Sequence, residues 1–200
     1  MPNHYIGKNF DIAGFAVGVV ERKLIIDCSK VKKGNLIVGI ESSGAHSNGY
    51  SLINKLINES KLSKLEKEKI TKLALKPTHL YVSVIRDLIE KIKVKSIANI
   101  TGGGLIENIP RSVPKNLSVE INLESWKMPK LFKQLQKVGN IDTNDMVRIF
   151  NCGIGMTLII DPKDIKETQS IIKKHNFKSF VIGKVLSGPQ NNVNFIQCLK

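Results

Sequence analysis

Arginine is nearly missing from this chain. Of its 31 basic residues only Arg22, Arg86, Arg111 and Arg148 are arginine, and the lysines that make up the rest spread over nearly every segment. Sequence-reading nucleic-acid binders gather arginine and aromatic side chains on one face, because bidentate and stacking contacts need them. With aromatics at 6%, the net charge of +14 reads as solvated lysine faces, and no nucleic-acid partner is expected. A general pull on anionic substrates remains compatible with it. Cysteine is as sparse. Cys28, Cys152 and Cys198 form no CxxC pair and have no histidine at ligand spacing, which argues against a disulfide framework or a structural zinc. No apolar run approaches the ~20 residues of a membrane span. The first residues, Met1 to Tyr5, lack the basic start and apolar core of a secretory signal. A cytoplasmic protein without a membrane partner is the expectation. No GxxxxGK[ST] phosphate loop occurs, and no paired-carboxylate or nucleophile–base arrangement can be read from residue order.

What is present suits a layered domain. Two hundred residues with 42% hydrophobic content can build a buried core. Apolar, β-rich runs at Ile12 to Val20, Lys23 to Ile26, Leu36 to Ile40, Ser96 to Ile100, Leu117 to Leu123, Met156 to Ile160, Phe180 to Leu186 and Val193 to Ile196 read as strands. Between them, helical periodicity runs over Tyr50 to Asn58, and over Lys64 to Leu75 with Leu65, Ile70 and Leu73 inward. A third helix is capped by Thr78 and faces inward through Leu80, Val84, Ile85, Leu88, Ile89 and Ile92. Further helices are expected in a short stretch before Pro110, over Pro129 to Lys137 and Asn144 to Phe150, and after Asp161 and Pro162 as cap and first turn. Strands alternating with helices predict an α/β or α+β class, a three-layer α/β/α sandwich on a mixed sheet.

Three glycine-bearing connections stand out. Ser42-Ser43-Gly44-Ala45-His46-Ser47-Asn48-Gly49 leads from a strand into a helix, a junction that puts free backbone N–H groups at one spot and suits phosphate or carboxylate. Ser42, Ser43, Ser47 and Asn48 add side-chain hydrogen bonds, and His46 titrates near neutrality. The bland alternative is a capped loop, but two glycines, three serines and a histidine exceed what a cap requires. Thr101-Gly102-Gly103-Gly104 is a second strand-to-helix junction. Three consecutive glycines cost backbone entropy, which favours close approach of a ligand over a tight turn. Glu107, Asn108 and Arg111 follow on the short helix. The third connection, Asn151-Cys152-Gly153-Ile154-Gly155, has Leu158 where a dinucleotide fingerprint needs glycine, and by spacing alone reads as a helix C-cap. His4, His79 and His175 sit singly. The residues alone support a nucleotide or sugar-phosphate site and no particular reaction.

Five ordered segments together resemble one family: DIAGFAVGVVE (11–21), SSGAHSNGYSL (42–52), KPTHLYV (76–82), TGGGLIENIPR (101–111) and FNCGIGM (150–156). The chain is similar, from about Tyr5 to its C-terminus, to phosphoribosylformylglycinamidine cyclo-ligase, also called aminoimidazole ribonucleotide synthetase. The resemblance implies ATP-dependent, magnesium-requiring ring closure of formylglycinamidine ribonucleotide in a homodimeric enzyme of purine biosynthesis. It implies that Ser42, Ser43, Gly44, Ser47, Asn48, Gly49, Thr101, Gly102, Gly103, Gly104, Asn108, Asn151 and Gly153 line a cleft for the phosphate-bearing ligands, ATP and substrate, with His46 as a catalytic or phosphate-contacting group. The family carries a whole N-terminal domain ahead of the DIAGF strand. Residues 1–27 are therefore expected to be the last strand segment of an otherwise absent ATP-binding domain that bears the metal ligands. Residues 28–200 would be the C-terminal cyclo-ligase domain. Alone, the polypeptide is expected not to close the ring. The alternative is a non-catalytic module that holds a phosphate ligand and needs a separate N-terminal half.

Overall fold

The structure is a computed structural model that describes residues 14–189 and 193–196. Six strands form one mixed sheet: β1 (Leu36–Glu41), β2 (Ser96–Asn99), β3 (Leu117–Asn122), β4 (Ile154–Ile160), β5 (Ser179–Ser187) and β6 (Val193–Ile196), in the spatial order β2-β4-β1-β5-β3-β6. All neighbours pair antiparallel except β3 and β6, which are parallel. β1 is apolar on both sides because it is central and covered twice. Ile37 enters one core, while Val38 and Ile40 enter the other.

Helices cover both faces. On one lie α1 (Tyr50–Glu59), α2 (Lys64–Ala74), α4 (Gly104–Asn108), α5 (Lys130–Gly139) and α6 (Thr143–Ile149), which bury Ile53, Ile70, Leu105, Phe132 and Val147 in one cluster. On the other, α3 (Val82–Lys91) and α7 (Ile165–Lys174) bury Val84, Leu88, Ile171 and Ile172 against Leu158 and Ile160. The expected three-layer sandwich is present. Local signals start several of these helices. Ser63 and Glu66 form a reciprocal capping box for α2, and the Asp142 carboxylate accepts the amides of Asn144 and Asp145 to open α6.

Several local expectations are corrected. Residues 14–20, the described part of the expected first strand, pair with no strand among the described residues, and Arg22–Leu24 is a 3-10 turn in place of a strand. Phe15 and Val19 stand 96% and 100% exposed, so this apolar segment has no partner strand to satisfy it among the described residues. The third helix begins at Val82, four residues past Thr78, because segment 77–81 is held elsewhere. The Pro77 carbonyl accepts the Ser43 hydroxyl, and Tyr81 donates to the Glu41 carbonyl. Leu80 therefore stays exposed, as does Leu65 on α2. Asp161 does not cap; its carboxylate accepts Asn35 Nδ2 at 2.8 Å and Lys95 Nζ at 2.9 Å. His4, Cys198 and the strand residues before Gly14 lie outside the described residues.

Candidate functional site

Sheet order brings the three glycine-bearing connections to one end of the molecule. β1 and β2 both run antiparallel to β4 and flank it, so they are parallel to each other. Glu41 at the end of β1 lies opposite Ile154, and Asn99 at the end of β2 opposite Met156. Loops 42–49 and 100–104 thus leave the sheet where loop 151–153 enters it, with the two outer strands ~10 Å apart at the usual strand spacing. Backbone bonds stitch the three together: Ser42 N–H donates to Gly153 O at 2.9 Å and Ile100 N–H to Gly155 O at 3.0 Å. Helices α1 and α4, which the first two loops open, sit on the same face of the sheet.

The first loop is fastened from inside by Asn151, which is fully buried. Its Oδ1 accepts the Ser42 hydroxyl at 2.8 Å and the Gly153 amide at 2.9 Å, while its Nδ2 donates to Gly44 O at 2.9 Å. Ser43 Oγ is spent on the Pro77 carbonyl at 2.6 Å. Gly49 closes the loop in the left-handed region at φ 74°, and a Cβ there would overlap the Phe150 ring, so only glycine fits. Ser47 is exposed and Asn48 half-buried, with side chains that make no bond to the described protein.

The second loop has a matching interior. Asn108, 5% exposed, donates through Nδ2 to the carbonyls of Gly104, Gly102 and Thr101 at 2.8, 3.1 and 3.3 Å and accepts Thr101 Oγ1 at 3.3 Å. Gly104 lies against the backbone of Val147, which seats α4 on α6. The Glu107 carboxylate folds over Gly103 and pairs with Arg111 at 3.5 Å. Thr101 and Gly102 are exposed, and an added Cβ at Gly102 would meet nothing within 4 Å. The amides of Ala45, His46, Ser47, Gly102 and Gly103 find no acceptor among the described residues.

His46 is not at the surface. It is 7% exposed, takes a left-handed backbone at φ 57°, and its Nε2 accepts the Ser43 amide at 3.2 Å. That acceptor role places the ring proton on Nδ1. Burial, and then the neighbouring His79, push its pKa down to about 4, so the imidazole is neutral at physiological pH. Its ring centroid stands 6.1 Å from Tyr81 and 6.3 Å from His79, and Phe177 completes the group at 5.1 Å from His79. Gly155 lets this group approach the sheet, since a Cβ there would overlap both Tyr81 and His46. The aromatic group escaped the sequence reading, because its members come from three distant segments; His79 had looked solitary.

Residues 32–196 match the AIR synthase related protein, C-terminal domain. The chain belongs to that family. A phosphoribosylformylglycinamidine cyclo-ligase of Citrifermentans bemidjiense is 46% identical over 192 residues, which is 92% of this chain and 55% of that protein. One from Staphylococcus aureus (strain bovine RF122 / ET3-1) is 41% identical over 199 residues, 98% of this chain and 58% of that protein. The chain therefore spans a little over half the length of the curated relatives it matches. The solved structure of T. maritima PurL complexed with AMPPCP superimposes with a TM-score of 0.57 at 16% identity, over 91% of this chain and 26% of that one. That likeness concerns the fold.

In this AIR synthase-type domain the outward groups of the loops are N–H hydrogens, hydroxyls and the Asn48 amide. Donors of this kind match the oxygens of a phosphate ester. They do not fit Mg2+, which takes oxygen ligands, most often carboxylate and water. Among the described residues no group of three or more His, Cys, Asp or Glu side chains could hold a metal. No helix among them is long and apolar enough to cross a membrane.

Proposed function

We propose that this chain is the C-terminal unit of an ATP-dependent phosphoribosylformylglycinamidine cyclo-ligase, and that the end of its sheet forms one wall of the cleft in which formylglycinamidine ribonucleotide is closed to aminoimidazole ribonucleotide. The observation that carries this reading is the 46% identity to a protein of that name along 92% of the chain. The convergence of the three glycine-bearing loops supports it. In the reaction, ATP transfers its terminal phosphoryl group to the substrate's amide oxygen. A substrate nitrogen then attacks the activated carbon, and the oxygen departs with phosphate. Such chemistry rests on holding the reacting groups in register and on donors aimed at the charge that develops.

This chain's share is binding and orientation. Ser47, Asn48, Thr101 and the backbone of Gly102 and Gly103 are the groups placed to meet phosphate oxygens, since they are exposed or half-buried and turned away from the core. Ser42, Ser43, Gly44, Gly49, Gly104 and Gly153 shape those loops. Neutral His46 cannot attract phosphate by charge; it holds the Ser43 amide and thereby the loop's first turn. On this reading Mg2+ and much of the ATP site would belong to an N-terminal unit, of which residues up to about Asp27 would be the final segment. The same reading places the protein in the cytoplasm and makes the complete enzyme a homodimer.

The test is complementation. The purified 200-residue chain is assayed for ATP-dependent imidazole formation alone, and then with a polypeptide covering the remaining N-terminal part of the Citrifermentans relative. No turnover alone and turnover in the mixture are expected. Turnover by the chain alone would overturn the division of labour. Absence of both turnover in the mixture and calorimetric binding of the substrate nucleotide would overturn the cyclo-ligase reading.

A further inference from the structure

A loop that accepts an anion must show its amide hydrogens outward, and something must hold them so. In a trans peptide the C=O and the following N–H point in opposite directions, so fixing one carbonyl inward fixes the next amide outward. Each of the two loops is backed by a buried side chain from outside it that does this. Asn151 Nδ2 draws in the carbonyl of Gly44, which turns out the amide of Ala45. Asn108 Nδ2 draws in the carbonyls of Thr101 and Gly102, which turns out the amides of Gly102 and Gly103. These three are among the amides with no acceptor in the described protein. Asn108 ends α4 and Asn151 lies in the third connection, 43 positions away, yet the two perform the same operation at the same end of the sheet.

We infer that Asn108 and Asn151 are positioning residues that set the polarity of the anion-facing loops, and that neither touches the ligand. The inference rests on the cyclo-ligase reading for the identity of the ligand, but its geometric content does not. Both side chains are at least nine-tenths buried, and the Nδ2 of each donates to protein carbonyls, that of Asn108 to three and that of Asn151 to Gly44. They replace direct phosphate contact as the role of these two positions. Asparagine suits the task because one planar group offers both a donor pair and an acceptor. Asn151 uses its acceptor to tie Ser42 and Gly153 into the same unit, and Asn108 uses its own on Thr101.

The test uses four variants of the whole chain: Asn108→Asp, Asn108→Leu, Asn151→Asp and Asn151→Leu. The aspartates keep the shape and lose the donors; the leucines are neutral and separate lost donors from added charge. Residue-resolved amide shifts and hydrogen exchange are read on the chain, together with calorimetric binding of inorganic phosphate and of ATP in the presence of the N-terminal polypeptide. Changes at position 108 are expected to move the Gly102 and Gly103 amides and leave 44–47 in place. Changes at 151 are expected to move 44–47 and Gly153 and leave 101–104 in place. Affinity for either probe is expected to fall about tenfold or more, the scale of one or two lost hydrogen bonds. Should a leucine variant fail to fold, the matching aspartate decides. Unmoved loop amides, or amides shifted uniformly over the whole sheet, overturn the assignment. If the unsubstituted chain binds neither phosphate nor ATP, the ligand reading falls while the amide shifts still decide the polarity claim.

Discussion

Gly102→Ala separates what the fold needs from what a ligand needs. The residue is exposed, its backbone is outside the left-handed region, and an added Cβ has no atom within 4 Å. Nothing in the protein requires glycine there. Alanine removes freedom from the unfolded chain, which stabilises a compatible site by about 0.4–1 kcal/mol. For a chain of this length, that raises Tm by about 1–4 °C. The same methyl group stands beside the Gly102 and Gly103 amides, where a phosphate oxygen would have to approach to hydrogen-bond distance. A hydrogen bond to a charged group contributes about 1.5–3 kcal/mol, so losing even one lowers affinity at least tenfold. Thermal melting and calorimetry with ATP or the substrate nucleotide, in the presence of the N-terminal unit, read both quantities on one preparation. A stabilised variant that binds as tightly as the parent would refute the idea that a ligand comes close to this loop. A destabilised one would refute the reading of the loop's geometry.

Two other expectations follow from the same end of the sheet. Gly155→Ala drives a methyl into Tyr81 and His46, which cannot withdraw without losing their bonds to the Glu41 carbonyl and the Ser43 amide, and should cost about 2–3 kcal/mol in urea unfolding; an unchanged midpoint would count against the packing described. His46 has a folded-state pKa of about 4, chiefly from burial, below the ~6.5 of an unfolded histidine. The unfolded chain therefore takes the proton first: the stability that His46 contributes is whole above about pH 6.5 and drains away as pH falls toward 4. His46→Gln should flatten the fall in urea midpoint between pH 7 and 4.5. Parallel profiles for the two proteins would remove His46 as the cause.

The parts of the fold that could be read from residue order are those whose signal is local. LIVGI announces a buried strand by itself, and YSLINKLINE announces an amphipathic helix; both appear within a residue or two of their expected bounds. The Ser/Gly loop between them is legible as a strand-to-helix junction because it lies between these two strong local signals. What escaped depends on distant partners. Thr78 looks like a cap until Pro77 is seen bonded to the first loop and Tyr81 to the end of β1. Asp161 before Pro162 reads as a cap until Asn35 and Lys95 claim its carboxylate. Residues 14–20 have the composition of a strand, but a strand is a relation between two segments and theirs is not among the described ones. The inward duty of Asn108 and Asn151 is likewise invisible in order alone, since an asparagine next to glycines reads equally well as a ligand contact.

The placement of β4 between β1 and β2 has a consequence for how the chain acquires its shape. As it emerges in order from the ribosome, β1 and β2 are complete more than fifty residues before the strand that must slot between them. Until Ile154 to Ile160 arrive, the ends of those two strands have no common neighbour, and Asn151 has yet to join Ser42 across 109 positions. Closing such distant segments is slow relative to helix formation. A nascent chain stalled before residue 150 should thus hold formed helices and unjoined loops, and on the proposed reading a tethered nucleotide analogue would gain affinity only once β4 has taken its place between β1 and β2.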